Sequence, residues 1–172
     1  RTSLSGGRAT NRRKVGKATV KAHCGDTYAL SAEGEPLTNL ITWEVKNGYN
    51  DDTGVTLAEL LDAPARCDPT KARLLEWIAQ VNAAAHSAKT PFWALVHKRD
   101  FREPVIYIPN ALFTRLLDPC DFATVNLLLA NVCLDGTRFI KLVALALDDF
   151  FRVVRPDVIR RMADAIAPRT VA

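Results

Sequence analysis

Acidic residues are missing from the first stretch of this 172-residue chain: none occurs between Arg1 and Gly25. Arg1, Arg8, Arg12, Arg13, Lys14, Lys17 and Lys21 all fall there, and a basic segment of this kind suits a polyanion such as a nucleic acid backbone. A solvated arm that binds nothing would have the same composition. Long apolar runs are also missing, which excludes a membrane-spanning helix. The polar opening from Arg1 lacks the apolar block of a secretory signal, so a soluble, cytoplasmic protein is expected. The four cysteines, Cys24, Cys67, Cys120 and Cys133, contain no C-x-x-C pair. His23, His86 and His97 do not complete a metal cluster with them, so the cysteines read as free thiols. There is no internal repeat and no low-complexity tract.

Hydrophobic residues make up 48% and charged residues 24%, a globular balance that sets aside disorder and a coiled coil. The length suffices for one domain with a core, or one domain plus a small appendage. Residues 1–25 read as a polar arm ending at Gly25. Residues 28–30 are a strand candidate, Glu33-Gly34-Glu35-Pro36 has turn chemistry, and residues 37–45 read as a second strand rich in β-branched and aromatic side chains. These two strands would form a hairpin-like pair. A short helix is expected over 56–61. Asp68-Pro69 reads as the cap and first position of a longer helix, whose Leu74, Leu75, Ile78, Val81 and Ala85 share a face that should lie on the sheet. Residues 92–97 are an apolar strand, 98–103 a charged turn and 104–108 a returning strand. The order is α/β with a mixed sheet flanked by helices. After residue 110, Asp135-Gly136 marks a hairpin between 125–134 and 137–145. One helix starts at Asp148 and another starts or kinks at Pro156. This C-terminal hairpin-plus-helix unit, residues 111–172, reads as a small appendage packed on a core of residues 1–110.

The chemistry centres on Glu44-Val45-Lys46 at the end of the expected second strand. Side chains alternate along a strand, so Glu44 and Lys46 share a face that Val45 does not. Asp26 opens the neighbouring expected strand, which would bring two carboxylates together as hard oxygen ligands for Mg²⁺. A lysine beside them can orient an attacking water and counter charge developing on a phosphate. E-x-K alone is a common surface ion-pair pattern; Asp26 upstream and the nearby glycine-containing loops are what lift it above that.

In this order the residues resemble the PD-(D/E)XK nucleases, and within them the Holliday-junction resolvase-like branch, with endonucleases encoded by phages and prophages nearest. The resemblance covers roughly residues 1–110. It rests on Ser5-Gly6-Gly7-Arg8-Ala9-Thr10, Gly25-Asp26, Trp43-Glu44-Val45-Lys46-Asn47-Gly48-Tyr49, and Phe92-Trp93-Ala94-Leu95-Val96-His97-Lys98-Arg99-Asp100. It implies a restriction-endonuclease-like sheet and a metal-dependent endonuclease that hydrolyses DNA phosphodiester bonds, at branched or junction DNA. Asp26, Glu44 and the Val45 carbonyl would hold Mg²⁺ or Mn²⁺, and Lys46 would be the catalytic lysine. Ser5 would face the site, Arg1 and Arg8 would contact phosphates, and a homodimer would match the symmetry of a junction. The basic residues Arg12, Arg13, Lys14 and Lys17 belong to the same DNA-binding expectation. The family's first helix, which carries a further glutamate, has no counterpart in this sequence; it would have to come from a longer product or from elsewhere.

Other patterns carry less. Gly6-Gly7 lacks the spacing of a phosphate-binding loop. His97 on an apolar strand reads as a core or strand-end histidine before a general base. Asp100 with Arg99 and Arg102 reads as a charged turn, Trp77 and Trp93 as core, and Asp148-Asp149 as helix-capping acids. Two other functions fit the same residues. One is a catalytically inactive nuclease-like module that binds DNA or a protein. The other is an interaction protein with a fortuitous E-x-K, which would have no salt-sensitive affinity for DNA.

Overall fold

The computed structural model describes residues 25–49, 54–61, 72–134 and 137–166. The basic arm lies outside that set, as do Cys24, Cys67, Asp68, Pro69 and the Asp135-Gly136 turn.

The first described helix stands where the sequence puts a turn and the start of a strand. After a 3₁₀ turn at Ala32–Gly34, helix α1 takes Glu35–Leu40, and strand β1 begins only at Ile41 and runs to Asn47. Residues 28–30 form no strand. Pro36 explains the difference: its fixed φ and missing N–H suit the first helical turn, where it stands. Leu37 and Leu40, three apart, then face one core on a helical period. The β-branched and aromatic residues that suggest a strand over 37–45 begin only at Ile41, where β1 begins.

Helix α2, Leu57–Leu61, starts one residue after the expected position. Its start is held by side chains on both sides: Glu59 N–H donates to Thr56 Oγ1 at 3.2 Å, and Val55 N–H, one residue before the cap, donates to a Glu59 carboxylate oxygen at 2.9 Å. Helix α3, Arg73–Ala88, buries Leu74, Leu75, Ile78, Val81 and Ala85, the face read from the sequence, and adds Trp77. It ends with Lys89 in the left-handed region (φ 56°). Lys89 N–H donates to the His86 carbonyl and Thr90 N–H to the Ala85 carbonyl, a Schellman ending.

Strands β2 (Phe92–Lys98) and β3 (Val105–Pro109), helix α4 (Asn110–Leu117), strands β4 (Leu127–Cys133) and β5 (Phe139–Ala146), and helices α5 (Leu147–Val153) and α6 (Pro156–Ile166) complete the described elements. The five strands form one mixed sheet in the order β1-β2-β3-β5-β4. β1 and β2 are parallel, joined through α2 and α3, and every other pair is antiparallel. The C-terminal hairpin and helices are present as expected, but the hairpin continues the sheet, because β5 pairs with β3 from Val105↔Ala146 to Pro109↔Leu142.

Alternation sends the strands' side chains into two layers. Ile41, Trp43, Ala94, Ile106, Ile108, Val143 and Leu145 pack with α1, α4, α5 and α6 on one face. Trp93, Leu95, Tyr107, Leu142 and Ala144 pack under α2 and α3 on the other. Each layer draws residues from before and after position 110. Trp43 shows how tightly β1 is held: its ring lies edge-on to Phe150 and stacks on Phe151, both from α5. Among the described residues no helix is long and apolar enough to cross a membrane.

Candidate functional site

Among the described strands β1 is the outer one of the sheet, and residues 25–26 run along the side of it that no described strand occupies. Asp26 N–H donates to the Trp43 carbonyl at 2.7 Å, and Val45 N–H donates to Asp26 Oδ2 at 2.9 Å. Asp26 is therefore brought to Glu44 by docking directly on the edge of β1, not through the expected hairpin. Gly25 permits this approach. Its φ is +78°, and a Cβ there would stand 2.7 Å from the Trp43 carbonyl oxygen, so any side chain would push the segment off the strand.

Glu44 and Lys46 point to the same face, as alternation requires, and that face is the one α3 covers. Lys46 Nζ donates to Glu44 Oε1 at 2.7 Å. Gln80, from α3, donates through Nε2 to the same oxygen at 2.7 Å, and its Oε1 accepts from Lys46 at 3.3 Å. Gln80 is the residue that reading the sequence missed. It is a polar position beside the apolar stripe of an amphipathic helix, and nothing local connects it to a strand so far back in the chain.

Only 2% of Glu44 is exposed. Burial pushes its carboxyl above the usual range; the Lys46 hydrogen bond pulls it down, and the nearby Asp26 charge pushes it up again. While Oε1 accepts from two donors, Oε2 is buried with no hydrogen-bond partner among the described residues. A buried carboxylate oxygen without a donor needs a proton or a cation. With the Asp26 carboxylate and the Val45 backbone carbonyl beside it along β1, the donors are all hard oxygens. That set fits Mg²⁺ or Mn²⁺, which use one or two carboxylates and fill the remaining positions with water. No group of three His, Cys, Asp or Glu side chains placed to hold a metal occurs among the described residues.

His97 stands beside Lys46 on β2 and is 3% exposed. Its Nε2 lies 3.3 Å from the Gly48 carbonyl, which can only accept, so Nε2 carries the proton. The ring packs 4.9 Å from Trp77, whose other neighbour is Tyr49. Burial lowers the His97 pKa. Such a ring closes the floor of the site as a neutral core group, in keeping with the structural reading of the sequence. Arg99 pairs with Glu59 of α2 at 2.8 Å, tying the charged turn to the helix layer. The Asp148-Asp149 pair lies in the first turn of α5, but no side chain caps that helix, and Asp149 instead pairs with Arg152 at 2.8 Å. Cys120 is buried and Cys133 half-buried, both free.

Of the residues expected at the site, Asp26, Glu44, Val45 and Lys46 come together along one stretch of β1. Arg1, Ser5, Arg8, Arg12, Arg13, Lys14 and Lys17 lie outside the described residues. Compared with protein-family models, with curated proteins and with solved structures, the chain matches none.

Proposed function

We propose that this chain is a metal-dependent endonuclease that hydrolyses phosphodiester bonds in DNA, with branched or junction DNA as the preferred substrate. The observation that carries the reading is the buried Glu44, whose Oε2 has no partner among the described residues while Asp26 and Lys46 stand beside it. Asp26, Glu44 and the Val45 carbonyl would hold Mg²⁺ or Mn²⁺. A divalent cation there would supply Lewis-acid polarisation of the phosphoryl group and lower the pKa of an attacking water. Lys46, released from Glu44 and Gln80, would orient that water and balance the negative charge that grows on the phosphate as the new P–O bond forms and the old one breaks. Gln80 would hold the Glu44 carboxylate ionised and aimed. The acid-free basic arm would lie along the DNA backbone. The preference for branched DNA and a homodimeric state rest on the family resemblance.

A second reading has an observation of its own: the Lys46 ammonium already has two protein partners, Glu44 and Gln80. A site closed on itself in this way would suit a nuclease-like module that binds DNA or a protein without cutting.

Nicking of labelled duplex, flap and four-way-junction DNA in Mg²⁺ or Mn²⁺ separates the two. The parent should cut, and Lys46→Ala and Glu44→Gln should each lose a factor of about 10²–10³. Cutting that survives both substitutions refutes the assignment. Salt-sensitive binding without cutting by any of the three transfers it to the second reading.

A further inference from the structure

The turn between β2 and β3 carries Phe101, which is 105% exposed, so its ring rests on nothing in the fold. Its backbone is also strained. Phe101 has φ 57° and is one of three described residues other than glycine in the left-handed region. The other two have a structural use there. Lys89 ends α3, and Tyr49 packs its ring 4.9 Å from Trp77. Phe101 makes no such contact, so nothing within the fold offsets either the strain or the exposed ring. A position of this conformation suits glycine or asparagine, and a bulky apolar residue held there points to a partner outside the chain.

The turn itself is held firmly. Arg102 N–H donates to the Arg99 carbonyl at 3.3 Å, Arg99 pairs with Glu59 of α2, and Leu147 N–H donates to the Pro104 carbonyl at 2.9 Å. A ring presented on a fixed turn loses little freedom when it meets a flat partner.

The turn also leaves the sheet beside the Glu44–Lys46 site. Lys98, the last residue of β2, stands opposite Asn47, and its carbonyl accepts from Gly48 N–H at 3.0 Å. Phe101 follows three residues later, at most about 11 Å of extended chain. It therefore lies within roughly 20 Å of Lys46, less than the ~34 Å of one duplex turn, so one DNA molecule can touch both. Lys98 and Arg102, both exposed, flank the ring and can meet phosphates on either side of it. Asp100 and Glu103 stand among them, so charge alone does not make this turn a track for a DNA backbone. The ring is its distinctive contact.

A free aromatic ring stacks best on another flat face. Within a duplex the faces of each base are covered by its neighbours, whereas an unpaired base has a face to offer. We propose that Phe101 is a base-stacking residue, which receives an unpaired nucleobase of the DNA whose backbone reaches the Glu44–Lys46 site. The assignment rests on the nucleic-acid reading of that site. It makes DNA with single-stranded segments, rather than continuous duplex, the form that this chain favours.

Anisotropy titrations of the whole chain test it, with a labelled single strand and the same sequence as duplex, at one salt concentration and with Ca²⁺ replacing Mg²⁺. Phe101→Ala should weaken binding of the single strand at least about fivefold and leave the duplex within about twofold. Phe101→Trp should restore the parent's affinity. The side chain touches nothing, so both variants should keep the parent's circular dichroism. Phe101→Trp also adds an exposed indole to the buried Trp43, Trp77 and Trp93, and the single strand should quench its emission far more than the duplex does. DNA binding that Phe101→Ala leaves unchanged overturns the assignment of Phe101 and leaves the reading of the Glu44 site standing. Equal weakening for single strand and duplex also overturns it, because such a ring does not distinguish unpaired bases. A parent that binds neither form removes the nucleic-acid reading and this proposal with it.

Discussion

Glu44 and His97 are buried titratable groups on adjacent strands, and burial moves both toward the neutral form, which means opposite directions in pKa. For His97 the folded pKa lies below the unfolded value of about 6.5. Above that value both states are neutral and the full stability is present. As pH falls below it, the unfolded chain takes up a proton that the fold resists, so stability declines until the folded pKa is reached. Urea unfolding between pH 8 and pH 5 should therefore show a loss of stability on the acid side that is smaller in His97→Gln. Parallel curves for parent and variant would show that the ring titrates as freely in the fold as outside it. For Glu44 the sign is reversed. A carboxyl with a raised folded pKa is best tolerated protonated, and its ionisation costs stability as pH rises from the unfolded pKa through the folded one. A bound cation would remove that cost, which is the thermodynamic side of the case for a metal.

At the scale of elements, the site is a contract between β1 and α3, with Gln80 as the contact. Gln80→Ala removes one donor from Glu44 Oε1 and one acceptor from Lys46, at a position exposed enough that folding should weaken by only about 1 kcal/mol. The larger effect belongs to the carboxyl: with one fewer donor its pKa rises. Under the proposed function, the acid limb of the pH profile of cleavage should then move to higher pH, with little change on the alkaline side. An unshifted limb with an equal loss at every pH would assign Gln80 to substrate contact.

What the sequence disclosed follows from how local each signal is. The α3 stripe and the 92–97 strand are set by the polarity of neighbouring residues, and both stand where expected. The same-face relation of Glu44 and Lys46 needs only strand alternation. The boundary at Leu40 was hidden because a six-residue helix has too few turns to establish a period, and Pro36 reads equally as a turn residue. Asp26 reached its neighbour by a different route from the one expected, because an edge contact made by Gly25 and Asp26 carries no periodic signature. Gln80 is a tertiary contact between distant positions, and one sequence does not show which polar residue of a helix faces a carboxylate.

At the scale of the whole molecule, the arrangement of the sheet sets what can be removed. β3 is the middle strand, and its outer partner is β5. Ile106, Ile108, Val143 and Leu145 share one core cluster, and Phe150, Val158 and Ile159 close it. A chain ended after residue 118 would keep β1 to β3 but leave β3 as an apolar edge without β5, α5 and α6. It should fail to unfold cooperatively on heating, whereas the whole chain gives a single transition by circular dichroism. A cooperative transition in the shortened chain would establish residues 1–118 as a domain in their own right.

The position of β3 also bears on how the protein is made. A ribosome delivers about 5–20 residues per second, so β5 follows β3 out after roughly 2–7 s. Throughout that interval the newborn chain holds a hydrophobic strand with one side bare, beside other nascent chains doing the same. The rate of translation through α4 and β4, and whatever shelters the emerging polypeptide, therefore help decide how much of this protein reaches its fold.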